Sequence, residues 1–426
     1  MGVLAHLYPP SLVDSVLKDC NAREERVRDL PHRLVVYFVL ACALFMDRGY
    51  RLVWDSINVS LWKSLPRSSE DLDVGSSSVT GPALTKARQR LGKDPLEELF
   101  RRTANPLAEE GGPGFIGDLR VVSFDGKTLP VPDSRLNREH FSSQSHKETA
   151  GYPSVRVVSL VESGTHATID ARIGPASTSE QKLVDDMIPS LKQGMLCLAD
   201  RSFPSIDRFL RAMETRAQLA WRVRNDWILP VVDVLEQGKS YMSVLVDPKK
   251  KHNYARRQIQ RKRTGNLPSD YDPKELVGTP IRVVEAWVDK PREYPTSDNK
   301  KDWHGASGEL IRIITTVDPE ILTAEEVVAL YAQRWEHETA FSYLGPSLVG
   351  KDRILRSQSP DMVYQEMWAL LLVYNAVCTT MKSVAELHNA DPDRASFKTA
   401  AVHIRNHLGA DSRGDFSPSS QGRQAP

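Results

Sequence analysis

The chain has 426 residues, of which 40% are hydrophobic and 26% are charged, as is ordinary for a globular protein. At roughly 150 residues per domain, this length predicts two or three domains. The formal net charge of +1 excludes binding of nucleic acid through overall positive charge, so such a role would depend on local basic patches. Four scattered cysteines without a Cys-x-x-Cys pair argue against structural zinc and favour a reducing compartment.

The first 110 residues are predicted to be helical. Pro10 opens one candidate helix, the apolar run Leu34–Met46 forms a second, and Arg51–Ile57 forms a third. The apolar run is too short to span a bilayer, which needs about 20 residues, so it predicts a buried helix. No signal peptide and no membrane segment are predicted.

A basic helix is predicted at Pro82–Leu91, with Gly92 as its C-terminal cap. Helices followed by a basic helix suit a module that binds the end of a DNA element. The alternative is an ordinary charged helix surface. In the DNA-binding interpretation, the cations that contact phosphates or a groove are Lys86, Arg88 and Arg90.

Two aspartates directly follow short apolar runs that are typical of buried strands. Residues 119–124 precede Asp125, and residues 194–199 precede Asp200. A glycine-rich linker precedes the first run, and a hairpin and a helix are predicted between the two runs. Because ligands collect at the carboxyl ends of strands in α/β sheets, we interpret both aspartates as site residues.

A β-rich insertion is predicted from position 226 to 308, where short strand-like runs alternate with polar loops. Its segment 249–263 is strongly basic and contains no acidic residue. Such a run is often simply solvated, but a basic segment beside an aromatic favours contact with a phosphate backbone. The candidate contacts are Arg256, Arg257, Arg261 and Lys262.

A capped helix is predicted after the strand 309–316, with Thr323 at the N-cap and Glu326 three residues later. On this helix, the spacing of Tyr331, Arg334 and Glu338 places them on one face, which suits a phosphate-handling surface with one metal-reaching acid. A solvated ion pair is the alternative. Together with the two strand-end aspartates, Glu338 could complete a site for two Mg²⁺ ions.

These residues resemble the motifs of the DDE transposases of bacterial insertion sequences, in particular the insertion-element-four family. Asp125 stands in an Asp-Gly-x-Thr context and Asp200 in an Asp-Arg-x-Phe context. Tyr331, Arg334 and Glu338 fit the pattern Tyr-x2-Arg-x3-Glu. Each motif alone is weak evidence, but their order over this length makes the resemblance specific.

The resemblance extends over Leu4–Met381 and has one departure. The family pattern ends in a lysine that is expected to contact DNA phosphate, and Gly345 stands in its place. Either the DNA contact is lost, or a nearby cation replaces it. The candidates for replacement are Lys351, Arg353 and Arg356.

The resemblance implies an α/β fold with an RNase H-like catalytic core. This core is interrupted by the β-rich insertion and preceded by an α-helical N-terminal domain. The expected domains are a helical DNA-binding domain at 1–110, the two parts of the core at 115–225 and 309–385, the insertion at 226–308 and a disordered tail at 410–426.

The implied activity is DNA transposition by phosphoryl transfer, with Asp125, Asp200 and Glu338 holding Mg²⁺, which Mn²⁺ can replace. Tyr331 and Arg334 would hold phosphate near the scissile bond. Water would free a 3′ hydroxyl at the transposon end, and that hydroxyl would attack target DNA without a nucleotide cofactor. Two alternatives stay open, namely a degenerate, non-catalytic DNA-end-binding protein and a two-metal endonuclease that does not join strands.

The implied partners are the double-stranded DNA of the transposon ends and of the target, with a homodimer pairing two ends in the bacterial cytoplasm, on the nucleoid. Some relatives use an aromatic side chain of the insertion to hold a flipped base. Trp303, in a polar loop, is the better candidate here, and Trp287 is expected to pack within the insertion. A hairpin intermediate at the excised end is left open.

Overall fold

A computed structural model describes residues 2–23, 30–64, 79–141, 151–245, 278–289, 308–332, 343–350 and 353–407. The chain folds into two compact units. The helical unit comprises 1–104, 129–154 and 342–426, and the sheet unit comprises 105–128 and 155–341. The chain therefore leaves the helical unit after Ala104 and returns to it twice.

Helices occur in both units. In chain order they are α1 (Gly2–Leu7), α2 (Pro10–Asp19), α3 (His32–Leu44), α4 (Tyr50–Ser64), α5 (Gly81–Leu91), α6 (Asp94–Thr103), α7 (Arg135–Phe141), α8 (Glu180–Asp185), α9 (Ile206–Glu214), α10 (Ala324–Ala332), α11 (Pro360–Leu387) and α12 (Phe397–His407). Among the described residues, 3₁₀ turns lie at Ile188–Ser190 and Pro392–Arg394, and a π-helix lies at Tyr343–Gly350.

The core of the helical unit is formed by α3 and α11. Every residue of α3 from Leu34 to Leu44 is buried, and α11 packs against α3, α6 and α12. The Tyr8 hydroxyl donates to the carbonyl of Leu372 at 2.7 Å, which ties the N-terminal segment to α11. By length and composition α11 could cross a membrane, but 67% of its apolar window is buried within the protein, as in a core helix.

The division of the chain differs from the predicted domains. The segment 309–385 was expected to form the second part of the sheet domain, but α11 belongs to the helical unit. The reason is that α11 is apolar around most of its circumference and buries that surface on α3. Sequence periodicity indicates that such a helix is buried, but it does not indicate which partner it packs on. The predicted tail at 410–426 lies outside the described residues.

The sheet unit is built around one mixed sheet. Its strands are β1 (Phe115–Ile116), β2 (Leu119–Pro130), β3 (Ser154–Glu162), β4 (Thr168–Pro175), β5 (Met195–Ala199), β6 (Gln218–Val223), β7 (Asp233–Glu236), β8 (Ser240–Leu245), β9 (Thr279–Asp289) and β10 (Gly308–Thr315). Their order across the sheet is β4-β3-β2-β5-β6-β10-β9-β8-β7, and β1 pairs with β2.

Strand direction changes across the sheet. The strands β2, β5 and β6 are parallel, whereas β3 and β4 form the predicted antiparallel hairpin. Beyond β6, the strands β10, β9, β8 and β7 are antiparallel to their neighbours. The described strands of the predicted insertion thus continue the main sheet through β9 and do not form a sheet of their own.

Alternating residues of the central strands are buried in two separate cores, one on each face of the sheet. Val122 and Cys197 face the core that contains α8 and α9. Val121 and Leu196 face the core that contains α10, and we name this side the α10 face. This period-2 alternation is what a sheet covered on both faces requires.

A buried carboxylate anchors the linker that leads into the sheet. Glu162, at the end of β3, is fully buried and accepts hydrogen bonds from the backbone N–H groups of Leu107 at 2.9 Å and Ala108 at 2.8 Å. It is also paired with Arg120 on β2 and accepts from the Thr165 hydroxyl. Because the charge is compensated on several sides, its burial is tolerated.

We predict that Glu162→Gln lowers the free energy of unfolding by about 2–4 kcal/mol, because Arg120 loses its ion-pair partner in a buried site. Glu214→Gln, at the exposed end of α9, is the control and should change it by less than about 0.5 kcal/mol. Urea unfolding of the full chain measures both. Equal stabilities for the two variants would contradict the anchoring role of Glu162.

Candidate active site

The register between β2 and β5 places the two predicted aspartates side by side. These strands are parallel, and Arg120 through Ser123 pair with Met195 through Leu198. Asp125 and Asp200 are separated by the same sequence offset, so they occupy equivalent positions beyond the last paired residues. Asp200 directly follows β5, whereas Asp125 lies within β2, which continues to Pro130, so the expectation that Asp125 ends its strand is wrong. Neighbouring strands lie about 4.8 Å apart, which brings the two carboxylates within reach of a shared ligand.

Both aspartates belong to the α10 face. Side chains alternate along a strand, so Asp125 projects on the same side as Val121, and Asp200 continues the side of Leu196 and Leu198. Those three apolar residues pack in one core with Tyr331 of α10. The helix that leads towards Glu338 therefore covers the face from which the two acids project.

The start of α10 is fixed by its predicted cap. The Glu326 N–H donates to the Thr323 hydroxyl oxygen at 3.3 Å, and the Thr323 N–H donates to Oε2 of Glu326 at 2.8 Å. This reciprocal pair confirms the capping box.

Arg334 and Glu338 lie outside the described residues. Tyr331 is 6% exposed and packs in the core of the α10 face, a position that does not present its ring to a DNA phosphate.

The two aspartates offer ligands suited to a hard divalent cation. Asp125 Oδ1 accepts the N–H of Gly126 at 2.8 Å, and Asp200 Oδ1 accepts the N–H of Arg201 at 2.5 Å. Mg²⁺ prefers carboxylate oxygens and needs only one or two of them, so this pair fits such an ion. Within the described ranges no three acidic, histidine or cysteine side chains come together as a metal site, and the third predicted ligand lies outside those ranges.

Lys127 lies two residues beyond Asp125 on β2 and therefore on the same face. Burial lowers the pKa of its ammonium group, and the negative charge of Asp125 acts in the opposite direction. The groups that set the charge around Asp125 thus include a lysine that none of the sequence motifs had identified. The alternation of side chains along β2 was the signal that could have identified it.

Arg222 is a further residue of this face that the sequence reasoning missed. On β6 it holds the position equivalent to Asp200, because Leu196 and Leu198 pair with Gln218 and Ala220 in the parallel register. Its guanidinium pairs with Glu309 of β10. Arg201 approaches the same carboxylate at 3.4 Å. At equivalent positions of the parallel strands β2, β5 and β6, the side chains are therefore two carboxylates and one guanidinium.

The predicted cations of α5 occupy different environments. Lys86 is exposed, and Arg90 is exposed while donating to the carbonyl of Leu30 at 3.2 Å. Arg88 is 4% exposed and donates to Gln365 Oε1 at 2.9 Å. The assignment of Arg88 to a DNA surface is therefore wrong, because its guanidinium is enclosed within the helical unit. Helical spacing alone could not separate Arg88 from its neighbours.

Most of the predicted DNA contacts of the insertion fall outside the described residues, and so does Lys351. Those of the insertion are Arg256, Arg257, Arg261, Lys262 and the aromatic Trp303. Trp287, on β9, is described and is 74% exposed. The expectation that Trp287 packs within the insertion is therefore wrong for the part of the insertion that the structure describes.

Comparison with known families agrees with this arrangement. Residues 1–101 match the family described as insertion element 4 transposase N-terminal, and residues 116–376 match the transposase DDE domain. The chain belongs to the insertion element 4 family of DDE transposases. The DDE domain match includes Asp125, Asp200 and the Glu338 position.

Individual relatives of this transposase chain are distant. The transposase InsG for insertion sequence element IS4 of Escherichia coli K12 is 24% identical over 95% of this chain and 82% of its own length. A second protein of that organism, the putative transposase InsZ, is 31% identical over 46% of this chain and 62% of its own length. The cryo-EM structure of a piggyBac transposase synaptic complex with hairpin DNA is 12% identical, with a TM-score of 0.47, over 96% of this chain and 79% of that one.

We predict that Arg88→Gln lowers the free energy of unfolding by about 2–3 kcal/mol, because it removes a buried charged donor and leaves its partners unsatisfied. Lys86→Gln, on the same helix but exposed, should stay within about 0.5 kcal/mol. Urea unfolding of the full chain measures the difference. Equal, small effects would contradict the structural role of Arg88.

We also predict that Mg²⁺ or Mn²⁺ raises the melting temperature of the native chain. A metal concentration of about 100 times Kd stabilises the folded state by about 2.7 kcal/mol. Asp125→Asn and Asp200→Asn should lose most of this shift because each removes a charged ligand. Asp118→Asn, exposed just before β2, is the control and should retain it. Thermal unfolding with and without metal measures the effect, and equal shifts in all variants would rule out this site.

Proposed function

We propose that the chain is a DNA transposase that cleaves transposon ends and joins them to target DNA by metal-dependent phosphoryl transfer. The observation that carries the proposal is the register of β2 and β5. It sets Asp125 and Asp200 at equivalent positions on the face that α10 covers. Family membership supplies the substrate class, because the DDE domain match spans 116–376.

The sheet order supports an RNase H-like core. The run β4-β3-β2-β5-β6 has an antiparallel hairpin on one side of β2 and two parallel strands on the other. A DDE site built on such a core needs one acid on the central strand and one on the neighbouring parallel strand. Asp125 and Asp200 stand at those two places.

Asp125, Asp200 and Glu338 would hold two Mg²⁺ ions, for which Mn²⁺ can substitute. When bound, such ions supply activation of an attacking oxygen and charge stabilisation at the leaving oxygen. Arg334 would hold phosphate beside the scissile bond, with two parallel hydrogen bonds available from one guanidinium. The packed ring of Tyr331 fixes α10 on the sheet and so orients the segment that follows. Much of catalysis then lies in positioning and in charge neutralisation.

The proposed partners are double-stranded transposon ends and target DNA. Lys86 and Arg90, exposed on α5, would contribute phosphate contacts from the helical unit. The basic segment of the insertion would add others. A homodimer would pair two ends, and the reaction would take place in the bacterial cytoplasm, on the nucleoid.

A degenerate, binding-only copy is the second candidate function, and Gly345 favours it. This residue replaces the lysine that ends the family pattern and lies in the π-helix Tyr343–Gly350. Glycine cannot donate a side-chain hydrogen bond to phosphate. Loss of one charge-assisted bond to phosphate costs roughly 1.5–3 kcal/mol, so the reaction would slow without the metal site being altered.

We expect the native chain to cleave duplex DNA that carries the gene's own flanking ends when Mg²⁺ or Mn²⁺ is present. Asp125→Ala, Asp200→Ala and Glu338→Gln should each lower cleavage by at least about a thousandfold, because the metal ions lose a ligand. End binding should persist in all three. Gel assays of cleavage, strand transfer and binding on the same preparations provide the measurement.

The variant Gly345→Lys separates the candidate functions. Cleavage by the native chain together with strand-transfer products supports the transposase, whereas cleavage without joining identifies an endonuclease. Cleavage only in Gly345→Lys identifies a metal site disabled by the missing phosphate contact. Normal cleavage by both Asp125→Ala and Asp200→Ala would refute the assignment of the active site.

A further inference from the structure

Two arginines approach the same aromatic ring where α3 ends. The guanidinium carbon of Arg48 lies 4.6 Å from the centroid of Phe45, and that of Arg405, on α12, lies 5.9 Å from it. Phe45 is itself 5% exposed. Arginines favour aromatic faces because the ring quadrupole attracts the cation. The ring therefore gathers two like charges from distant parts of the sequence.

A third arginine lies in the segment after the π-helix, and its positive charge acts on Arg405. Gly350 has a positive φ of 104°, and a Cβ built there would lie 2.7 Å from Cδ of Arg353. The side chain of Arg353 thus lies against the backbone of Gly350, where a larger residue would clash with it. Arg353 is exposed, so its head group is accessible to solvent.

A fourth arginine fixes the loop but does not add to the exposed charge. Arg356 donates to the carbonyl of Arg48 at 2.7 Å and to the carbonyl of Cys42. Its Nε lies 3.9 Å from Glu366, a buried carboxylate. Arg356 is therefore committed to holding the end of α3, and it is not available as the replacement cation that the sequence suggested.

The three remaining arginines form no ion pair with an acid in the described part of the chain. Arg48 donates to the neutral hydroxyl of Ser56 at 3.3 Å, and the buried Nε of Arg405 has no hydrogen-bond partner among the described residues. Burial lowers the pKa of Arg405, and the positive charges of Arg48 and Arg353 lower it further, while Asp47 acts in the opposite direction. Like charges brought together in this way destabilise the protein until an anion neutralises them.

We propose that Arg48, Arg353 and Arg405 form an anion site that binds the phosphodiester backbone of DNA. We call it the arginine cluster. Guanidinium groups bind phosphate in a two-pronged geometry, and the exposed head groups of Arg48 and Arg353 are accessible to such a ligand. The inference rests on the proposed transposase function, because that function brings a DNA duplex to the chain.

The location of the arginine cluster relates it to the missing lysine. Gly345 lies in the π-helix, which packs against α3 and α12 within the helical unit. Arg48 follows α3, Arg405 lies on α12, and Arg353 follows the π-helix itself. Position 345, where the lysine of the family pattern is absent, thus lies in one of these three elements. The three arginines lie on the same elements or shortly after them, and they form no ion pair with a described acid. The cluster restores a phosphate contact that Gly345 cannot make.

The test is the salt dependence of end binding by the full chain without divalent metal. Each phosphate contact contributes about 0.9 to the slope of log K against log salt concentration. The triple variant Arg48→Gln, Arg353→Gln, Arg405→Gln should lower that slope by about 2–3 and weaken binding at least tenfold. Arg101→Gln, on α6 and paired with Glu97, is the matched control and should change neither.

Thermal unfolding shows whether each variant is folded. If the triple variant unfolds, Arg48→Glu takes its place, because Arg48 is exposed and a reversed charge there should weaken binding at least tenfold. An unchanged slope in a folded variant overturns the arginine cluster, and normal cleavage by the native chain then leaves the transposase proposal standing. A slope lowered equally by Arg101→Gln also overturns it. Failure of the native chain to bind end DNA overturns both proposals, whereas binding without cleavage overturns only the transposase proposal.

Discussion

The proposed active site depends above all on the parallel pairing of β2 with β5. A shift of this register by one residue would move Asp200 to the opposite face of the sheet, away from Asp125 and from α10. The register is held by burial on both faces, because Val121 and Leu196 pack on one side while Val122 and Cys197 pack on the other. The apolar residues before each aspartate therefore determine where its charge lies. A substitution that alters the packing of β2 or β5 is therefore expected to displace the aspartate that follows the packed residues.

The same constraint explains the order of segments along the chain. Parallel neighbours need long connections, and the hairpin β3–β4 with α8 provides the connection from β2 to β5. After β6 the sheet continues through antiparallel strands, with β9 paired to both β8 and β10. This continuation allows a long insertion without breaking the sheet, since β10 returns beside β6 and leads directly to α10. The predicted third acid, Glu338, can thus be far from the two aspartates in sequence and still come shortly after a helix on their face.

Local features of the fold were predictable from the sequence, whereas partnerships were not. The capping box of Thr323 and Glu326, the cap at Gly92 and the β3–β4 hairpin all follow from short-range chemistry, and each is present. The placement of α11 in the helical unit, the burial of Arg88 and the exposure of Trp287 depend on contacts between remote segments. Spacing along one helix or strand carries no information about such contacts, which explains why these expectations were wrong. The pairing of the two aspartates was inferable only because parallel strands keep a constant offset.

The two aspartates and the arginine cluster both illustrate how binding sites reduce stability. Carboxylates at equivalent positions of neighbouring strands repel each other, as do the guanidinium groups of Arg48 and Arg405 at Phe45. Each group would be relieved by a ligand of opposite charge, a divalent cation in one case and a phosphodiester in the other. A ligand that binds the folded state stabilises it in proportion to the logarithm of its concentration over Kd. The free energy lost in assembling like charges would thus be recovered if the proposed ligands bind. For this reason residues that are unfavourable in the isolated protein indicate its ligands more directly than residues that are well satisfied.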